Sequence, residues 1–423
     1  AVGCLVLVGV QVFVVPPLRA RLPRAPVKDA DHAVLHRYCS GTDSTPAREG
    51  DAPDGAVSLT GVVVAIRHGD RSPINLMSRG AAASGEPAAT PFVHLERGAV
   101  ALRQRLASFV LKVVDSTGAP VAPGDQLGDV LDPATAFSAS DLALPPGQLT
   151  TRGFAQLFRL GERLREAYSP LVRRLGPEGG ADLYVRATAY RRTVLSAAGL
   201  VAGLLPQLGV RAVTVHVNED EGAEVMHGVG LLPGAGEPEP CAAAVQGRGS
   251  QREAFRLDAR LREELTGLMG AEDVERMSIP ELADVVIPSV CHGQPLPCPA
   301  GGCFDVPTVA AMKREGDRYY CDRYAGAEGG RRATRVSLYP LMSEISGRLA
   351  AMAEGRGARL AVLSGHDTVI APLLSSLGVR ASCGWPPYAS RVALELWSGG
   401  GEPAHYVRVL FNGDVVTDQV TGC

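Results

Sequence analysis

Short apolar runs that end in polar residues alternate along this chain with longer stretches of helical period. Val62-Val63-Val64-Ala65-Ile66 is an unbroken, mostly β-branched run. It predicts a strand over about 60–67 that is buried on both faces. Leu360-Ala361-Val362-Leu363 predicts a second such strand over 359–364, followed by an apolar helical pattern from Val369 to Leu377. Phe154, Leu157, Leu160, Gly161 and Leu164 recur at helical spacing, so 150–168 is read as a helix. Leu183–Arg186 reads as a short strand that leads to a helix over 190–205, and Val213–Val217 as another strand. A long helix is expected at 336–354. Strands at 392–397 and 406–411 close the sheet. Val100–Val114 reads as a helical patch between loops rich in Gly, Pro and Ala. No repeat of fixed period occurs. The alternation predicts an α/β fold, a core sheet flanked by helices.

Residues 220–334 differ from their surroundings. They hold Cys241, Cys291, Cys298, Cys303 and Cys321 and helical stretches at 253–268 and 279–286. They read as an inserted, mainly helical cap between two parts of the core, 59–219 and 335–423. Residues 19–58 are rich in Pro, Ala and charge and read as a stem or linker, with Cys39 placed to pin its end. Residues 1–18 are apolar, slightly short of the ~20 needed to span a bilayer. A clipped signal-anchor, a signal-peptide core and a buried helix compete for that segment. Arg19, Arg21 and Arg24 follow it, and no clean small-x-small cleavage site does.

Two strand ends carry the chemistry. The first continues into Arg67-His68-Gly69-Asp70-Arg71-Ser72-Pro73, the second into Gly365-His366-Asp367-Thr368. Ligands of open α/β sheets bind outside the carboxyl ends of strands, so both motifs can face one pocket. A neutral imidazole can attack phosphorus, and guanidinium groups can hold phosphoryl oxygens. A basic solvated strand end is the bland reading of the first motif. A helix cap beside a core histidine is that of the second. Their joint occurrence favours a site.

Arg-His-Gly-Asp-Arg-Ser-Pro together with a late His-Asp resembles the histidine acid phosphatase family, from about Thr60 to the C-terminus. Arg186-Ala187-Thr188-Ala189-Tyr190-Arg191-Arg192-Thr193 is similar to a third family block, with Ala187 and Ala189 replacing more usual polar residues. Leu149-Thr150-Thr151-Arg152-Gly153 is similar to a fourth. The resemblance implies that His68 is the nucleophile and forms a phosphohistidine. It implies that Arg67, Arg71, Arg192 and His366 bind the phosphate and that Asp367 donates a proton to the leaving oxygen. Asp70 would orient the loop or an arginine, and Gly69 and Pro73 would shape the turn. His227 and His292, in the cap, read as structural.

Cys291-His292, Pro297-Cys298, Gly302-Cys303-Phe304-Asp305, the segment 390–397 and the ending from Val407 resemble the 2-phosphoxylose phosphatase branch. That branch implies removal of the 2-phosphate from xylose in the glycosaminoglycan–protein linkage region. It also implies a single-pass type II Golgi membrane protein with a luminal enzyme. A broad acid phosphatase or an inositol-phosphate phosphatase is the alternative activity, and a secreted or lysosomal enzyme the alternative location. A catalytically dead phosphosugar binder is disfavoured, because all six site positions hold the expected residue types.

Composition narrows the rest. The net charge of −3 leaves no footprint for nucleic acid. Of nine cysteines, eight lie outside the apolar N-terminus and could form four disulfides in an oxidising lumen. Cys291-His292, Cys298 and Cys303 raise a zinc site, but two Cys-x-x-Cys units are lacking, which favours disulfides. No cofactor and no metal is expected: the family's basic pocket stands where other phosphoryl-transfer enzymes use Mg²⁺. Asn75, Asn218 and Asn412 all fail the glycosylation rule.

Overall fold

The computed structural model describes residues 30–41, 47–75, 77, 110–121, 127, 146–175, 182–205, 212–218, 220, 224–226, 255–299, 301–326, 328–379, 383–400 and 405–421. An eight-stranded sheet is the centre of it. Its strands are β1 (Ala56–Arg67), β2 (Val110–Val114), β3 (Leu183–Ala187), β4 (Ala212–His216), β5 (Leu360–Gly365), β6 (Arg391–Gly399), β7 (His405–Phe411) and β8 (Asp414–Val415), in the order β2-β4-β3-β5-β1-β6-β7-β8. The first five in that order are parallel, and β6, β7 and β8 each run antiparallel to the preceding neighbour.

The run in β1 is apolar without alternation because both faces are covered. Val62, Val64 and Ile66 join the core formed with α2 (Thr151–Ala167) and α3 (Arg191–Leu204). Val63 and Ala65 join the core on the other face, under α7 (Glu328–Ala353) and α8 (Asp367–Leu377). Helices α2 and α3 approach closely enough that side chains are excluded at the crossing. A Cβ on Gly161 would lie 2.0 Å from the Leu200 carbonyl, and one on Gly203 2.0 Å from that of Phe158.

A third core joins α1 (Ala30–Ser40) to helices of the segment expected as a cap, α4 (Ala259–Met269), α5 (Ile279–Cys291) and α6 (Val306–Tyr320). The cap helices start where capping side chains dictate. Asp258 and Asp305 accept backbone N–H groups in their first turns, and Ser278 with Glu281 forms a capping box. Three disulfides tie these parts: Cys39–Cys291, Cys298–Cys303 and Cys321–Cys383. Cys241 and Cys423 lie outside the described residues, as do 1–29 and His227.

Two expectations change. Val110–Val114 is a strand, not part of a helical patch, because its valines suit a pleated surface and β4 offers an open parallel edge. The later part of the expected stem is built into the domain. α1 buries Leu35, Tyr38 and Cys39. Glu49 pairs with the buried Arg391 of β6 at 2.5 Å, and the Gly50 N–H donates to Glu395. One short apolar stripe in α1 is too little periodicity to register in the chain.

Candidate active site

Register brings the two motifs together. Arg67 lies opposite Gly365, and Ala187 of β3 lies opposite Ser364. The next residues, His68, His366 and Thr188, therefore emerge side by side at the carboxyl edge of the sheet. The His68 and His366 rings are 5.4 Å apart, edge to face.

His68 is 2% exposed. Its Nδ1 sits 2.8 Å from the Gly69 carbonyl oxygen, which can only accept, so Nδ1 carries the proton and Nε2 keeps its lone pair. Burial, then the charges of Arg67, Arg192 and Arg71 and the nearby His366, push its pKa well below the usual imidazole range. The result is a neutral imidazole whose Nε2 keeps its lone pair beside three guanidinium groups.

The loop that carries it is held by backbone contact with the start of α2. A Cβ on Gly69 would lie 2.2 Å from the Gly153 carbonyl, and one on Gly153 2.1 Å from that of Asp70. Gly69 thus serves close approach, since its φ is not in the left-handed region. Thr150 caps α2 and donates its hydroxyl to Asp70 Oδ1 at 2.6 Å. The Asp70 N–H donates to Gln156. Asp70 orients the loop through Thr150 and through His292. Burial alone would raise its pKa, but His292, Arg152 and Thr150 hold it below the usual carboxylate range.

The arginines are not equivalent. Arg67 pairs with Asp367 at 2.7 Å, donates to Tyr38 Oη at 3.1 Å and to the Pro386 carbonyl, and lies against the Tyr388 ring. Arg71 pairs at 2.7 Å with Asp284, a residue of α5. Arg192 stacks on Tyr190 and reaches His366 Nδ1 at 3.4 Å. Burial and then the charge of Arg71 lower the Arg192 pKa to about 10. The Nε–H groups of all three are buried without an acceptor. Adjacent Arg191 turns away toward Gln148.

His366 Nε2 lies 2.9 Å from the Thr188 hydroxyl, which continues to Thr193. Since Arg192 can only donate to Nδ1, Nε2 carries the proton in this state. Asp367 opens α8. Burial would raise its pKa, but Arg67, the Trp385 indole, Arg71 and Tyr320 together hold it below the usual carboxylate range.

All six expected site residues thus lie together at the carboxyl edge of the sheet. Tyr38, Asp284, His292, Trp385 and Tyr388 also shape the site and were missed or read as scaffolding; only the Cys291-His292 pair left any trace in the chain. Among the described residues, no group of three or more His, Cys, Asp or Glu side chains could hold a metal ion. Cys298 and Cys303 are bonded to each other.

Comparison with known proteins identifies the family. The model of the histidine phosphatase superfamily, branch 2, matches residues 58–248 and 298–412. The chain is 27% identical to 2-phosphoxylose phosphatase 1 of Xenopus tropicalis, over 91% of this chain and 74% of that protein. It is 26% identical to 2-phosphoxylose phosphatase 1 of Homo sapiens, over 94% of this chain and 79% of that protein. A Bifidobacterium longum multiple inositol polyphosphate phosphatase, crystallised with inositol hexasulfate, shares the fold with a TM-score of 0.51. That match is 11% identical and covers 89% of each chain. The disulfides indicate passage through the secretory pathway. A buried imidazole ringed by arginines at the carboxyl edge of the parallel strands, and a family match over most of the sequence, lead to one statement: the chain belongs to branch 2 of the histidine phosphatase superfamily and is a histidine acid phosphatase, a hydrolase of phosphomonoesters.

Proposed function

We propose that this enzyme removes the 2-phosphate from xylose in the glycosaminoglycan–protein linkage region, through a phosphohistidine on His68. In the first step Nε2 of His68 bonds to phosphorus as the bond from phosphorus to the sugar oxygen breaks. The electron pair of that bond goes to the oxygen, which takes a proton from Asp367. Water then attacks phosphorus, giving a proton to Asp367, as the bond to Nε2 breaks and its electron pair returns to His68, which releases orthophosphate and restores both residues. Arg67, Arg71 and Arg192 stabilise the charge on the transferring group, which dominates phosphoryl transfer.

Ligand binding supplies the protonation states. A phosphoryl dianion draws on Arg67 and weakens its hold on Asp367, which favours the protonated acid. His366, beside Arg192, would donate a further hydrogen bond to the phosphate. A sugar alkoxide is a poor leaving group, so the acid contributes on the order of 10²–10⁴ in rate.

The observation that carries the mechanism is the buried positive charge around a neutral His68. For the substrate it is the similarity to 2-phosphoxylose phosphatases over more than nine-tenths of the chain. Charge supports a single phosphoryl group: Asp367 and Asp284 already neutralise two of the three arginines, which suits a monophosphate better than a polyphosphate. Residues 1–18 would anchor the chain in the Golgi membrane as a type II protein, ahead of the core (59–219 and 335–423) and the cap (220–334). Among the described residues no helix is long and apolar enough to cross a membrane, and 1–18 lie outside them.

The test is phosphate release by the full chain from a phosphoxylose-bearing linkage glycopeptide, beside p-nitrophenyl phosphate and inositol hexakisphosphate. Preference for the glycopeptide, abolished in His68→Ala, is expected. Turnover of the generic ester alone would overturn the substrate and leave a broad acid phosphatase.

A further inference from the structure

Trp385 occupies a position that the reaction scheme does not use. It lies in the loop before β6, 4% exposed. Its indole Nε1–H donates to Asp367 Oδ2 at 3.0 Å, the same oxygen that Arg67 holds at 2.7 Å. Its backbone N–H donates to Asp317 Oδ1 at 2.8 Å, and Asp317 pairs with the buried Lys313 at 2.5 Å. Both of those residues belong to α6 of the cap. The indole stacks on Tyr320 of the same helix, with ring planes 8° apart, and tilts against Tyr38 of α1 at 4.8 Å. Gly316 of α6 leaves room for it: a Cβ there would come within 2.9 Å of the indole Cε3. One turn of a cap helix therefore grips the residue that grips the acid.

We propose that Trp385 is a positioning residue that aims Asp367 at the leaving oxygen and holds its charge state, with α6 fixing the indole. The proposal rests on the reading of Asp367 as proton donor. Oδ2 accepts two N–H bonds, so the transferable proton belongs on Oδ1. When the ester bond breaks, the O–H bond at Oδ1 breaks with it and its proton joins the departing oxygen. The groups that face Asp367 are Arg67 of β1, Arg71 of the following loop, Arg192 of α3, Tyr38 of α1, Tyr320 of α6 and Trp385 itself. Of these, the Tyr320 hydroxyl and the indole donate to the carboxylate without carrying a charge, and the indole does so on the oxygen that Arg67 holds. Removal of the indole changes the acid while leaving the phosphate-binding arginines in place.

The sign follows from the donor. An N–H bonded to a carboxylate favours the charged form. Trp385→Phe removes it, so Asp367 gains its proton more readily, and the alkaline limb of kcat against pH moves up by about one pH unit. The acid is also less well aimed, so turnover of an alkyl phosphate falls about tenfold. p-Nitrophenolate departs without help, so turnover of p-nitrophenyl phosphate falls by less than about threefold. Gly316→Ala, which displaces the indole without removing it, gives a weaker form of the same pattern and decides the matter where Trp385→Phe does not fold. Equal losses on both esters with an unmoved alkaline limb, or no loss on either, would overturn the proposal. Asp367→Asn runs in parallel. If that variant keeps full turnover of the alkyl ester, the donor assignment itself falls and takes the proposal with it. If it loses that turnover while the Trp385 and Gly316 variants behave as wild type, the proposal alone falls.

Discussion

Nε2 of His292 lies 2.5 Å from Oδ1 of Asp70, although 222 residues separate them in the chain. Asp70 is two positions past the nucleophile, and its carboxylate is fully buried. Removing one partner of a buried pair leaves an uncompensated charge. His292→Ala is expected to destabilise the protein by about 3 kcal/mol and to lower turnover as residues 68–71 lose their support. The folded-state pKa of Asp70 is depressed, so its contribution is present above the unfolded carboxyl pKa of about 4 and is lost as pH falls through the folded value. Urea unfolding of both proteins at pH 7 and pH 3 checks this. The gap between them is expected to narrow in acid, and an equal gap at both would assign His292 a packing role only.

The depressed pKa of His68 has a kinetic consequence. A nucleophile that stays neutral in acid does not set the acid limb, so kcat/KM is expected not to fall between pH 7 and about pH 5. Arg192→Ala removes one of the charges that depress His68, and the acid limb should then move to higher pH. A pH–rate series on the two proteins reads both effects; a limb that stays still in the variant would contradict the electrostatic account.

Asp284 pairs with Arg71 at 2.7 Å, so on the proposed reading it competes with phosphate for that guanidinium. Asp284→Asn keeps an acceptor for the Ile74 N–H but removes the charge. Inorganic phosphate should then inhibit several-fold more strongly. Weaker inhibition would mean that Asp284 aims Arg71 instead of restraining it.

The Cys39–Cys291 bond holds α1 against α5 across a separation of 252 residues. Tyr38 and His292, the neighbours of its two cysteines, touch Arg67 and Asp70. Replacing both cysteines by serine should cost about 2–5 kcal/mol and also reduce turnover, because Arg67 loses the Tyr38 hydroxyl. Thermal melting and phosphate release on the one double variant test both. Lost stability with full activity would separate α1 from the site.

Helices and strands with long or unbroken apolar patterns were legible from the chain: β1, α2, α3, β5 and α8 lie within a few residues of their expected bounds. The stretch at 110–114 was not, because a five-residue valine-rich segment takes its conformation from the neighbour it pairs with. α1 was hidden for a related reason. It buries its residues against the cap, and no local pattern records a partner that lies more than two hundred residues away.

The sequence by itself determined where the candidate groups emerge. His68, His366 and Asp367 stand immediately after buried strands, and parallel pairing forces such positions to one edge. Only the tertiary structure decided how charge is distributed among them. Arg67 and Arg71 are matched by Asp367 and Asp284, Arg192 is pressed against Arg71, and Tyr38, His292 and Trp385 arrive from α1, the cap and the loop before β6. The physical reason is range: strand ends are set by local burial patterns, whereas ion pairs and hydrogen bonds between distant segments exist only once the cores have closed.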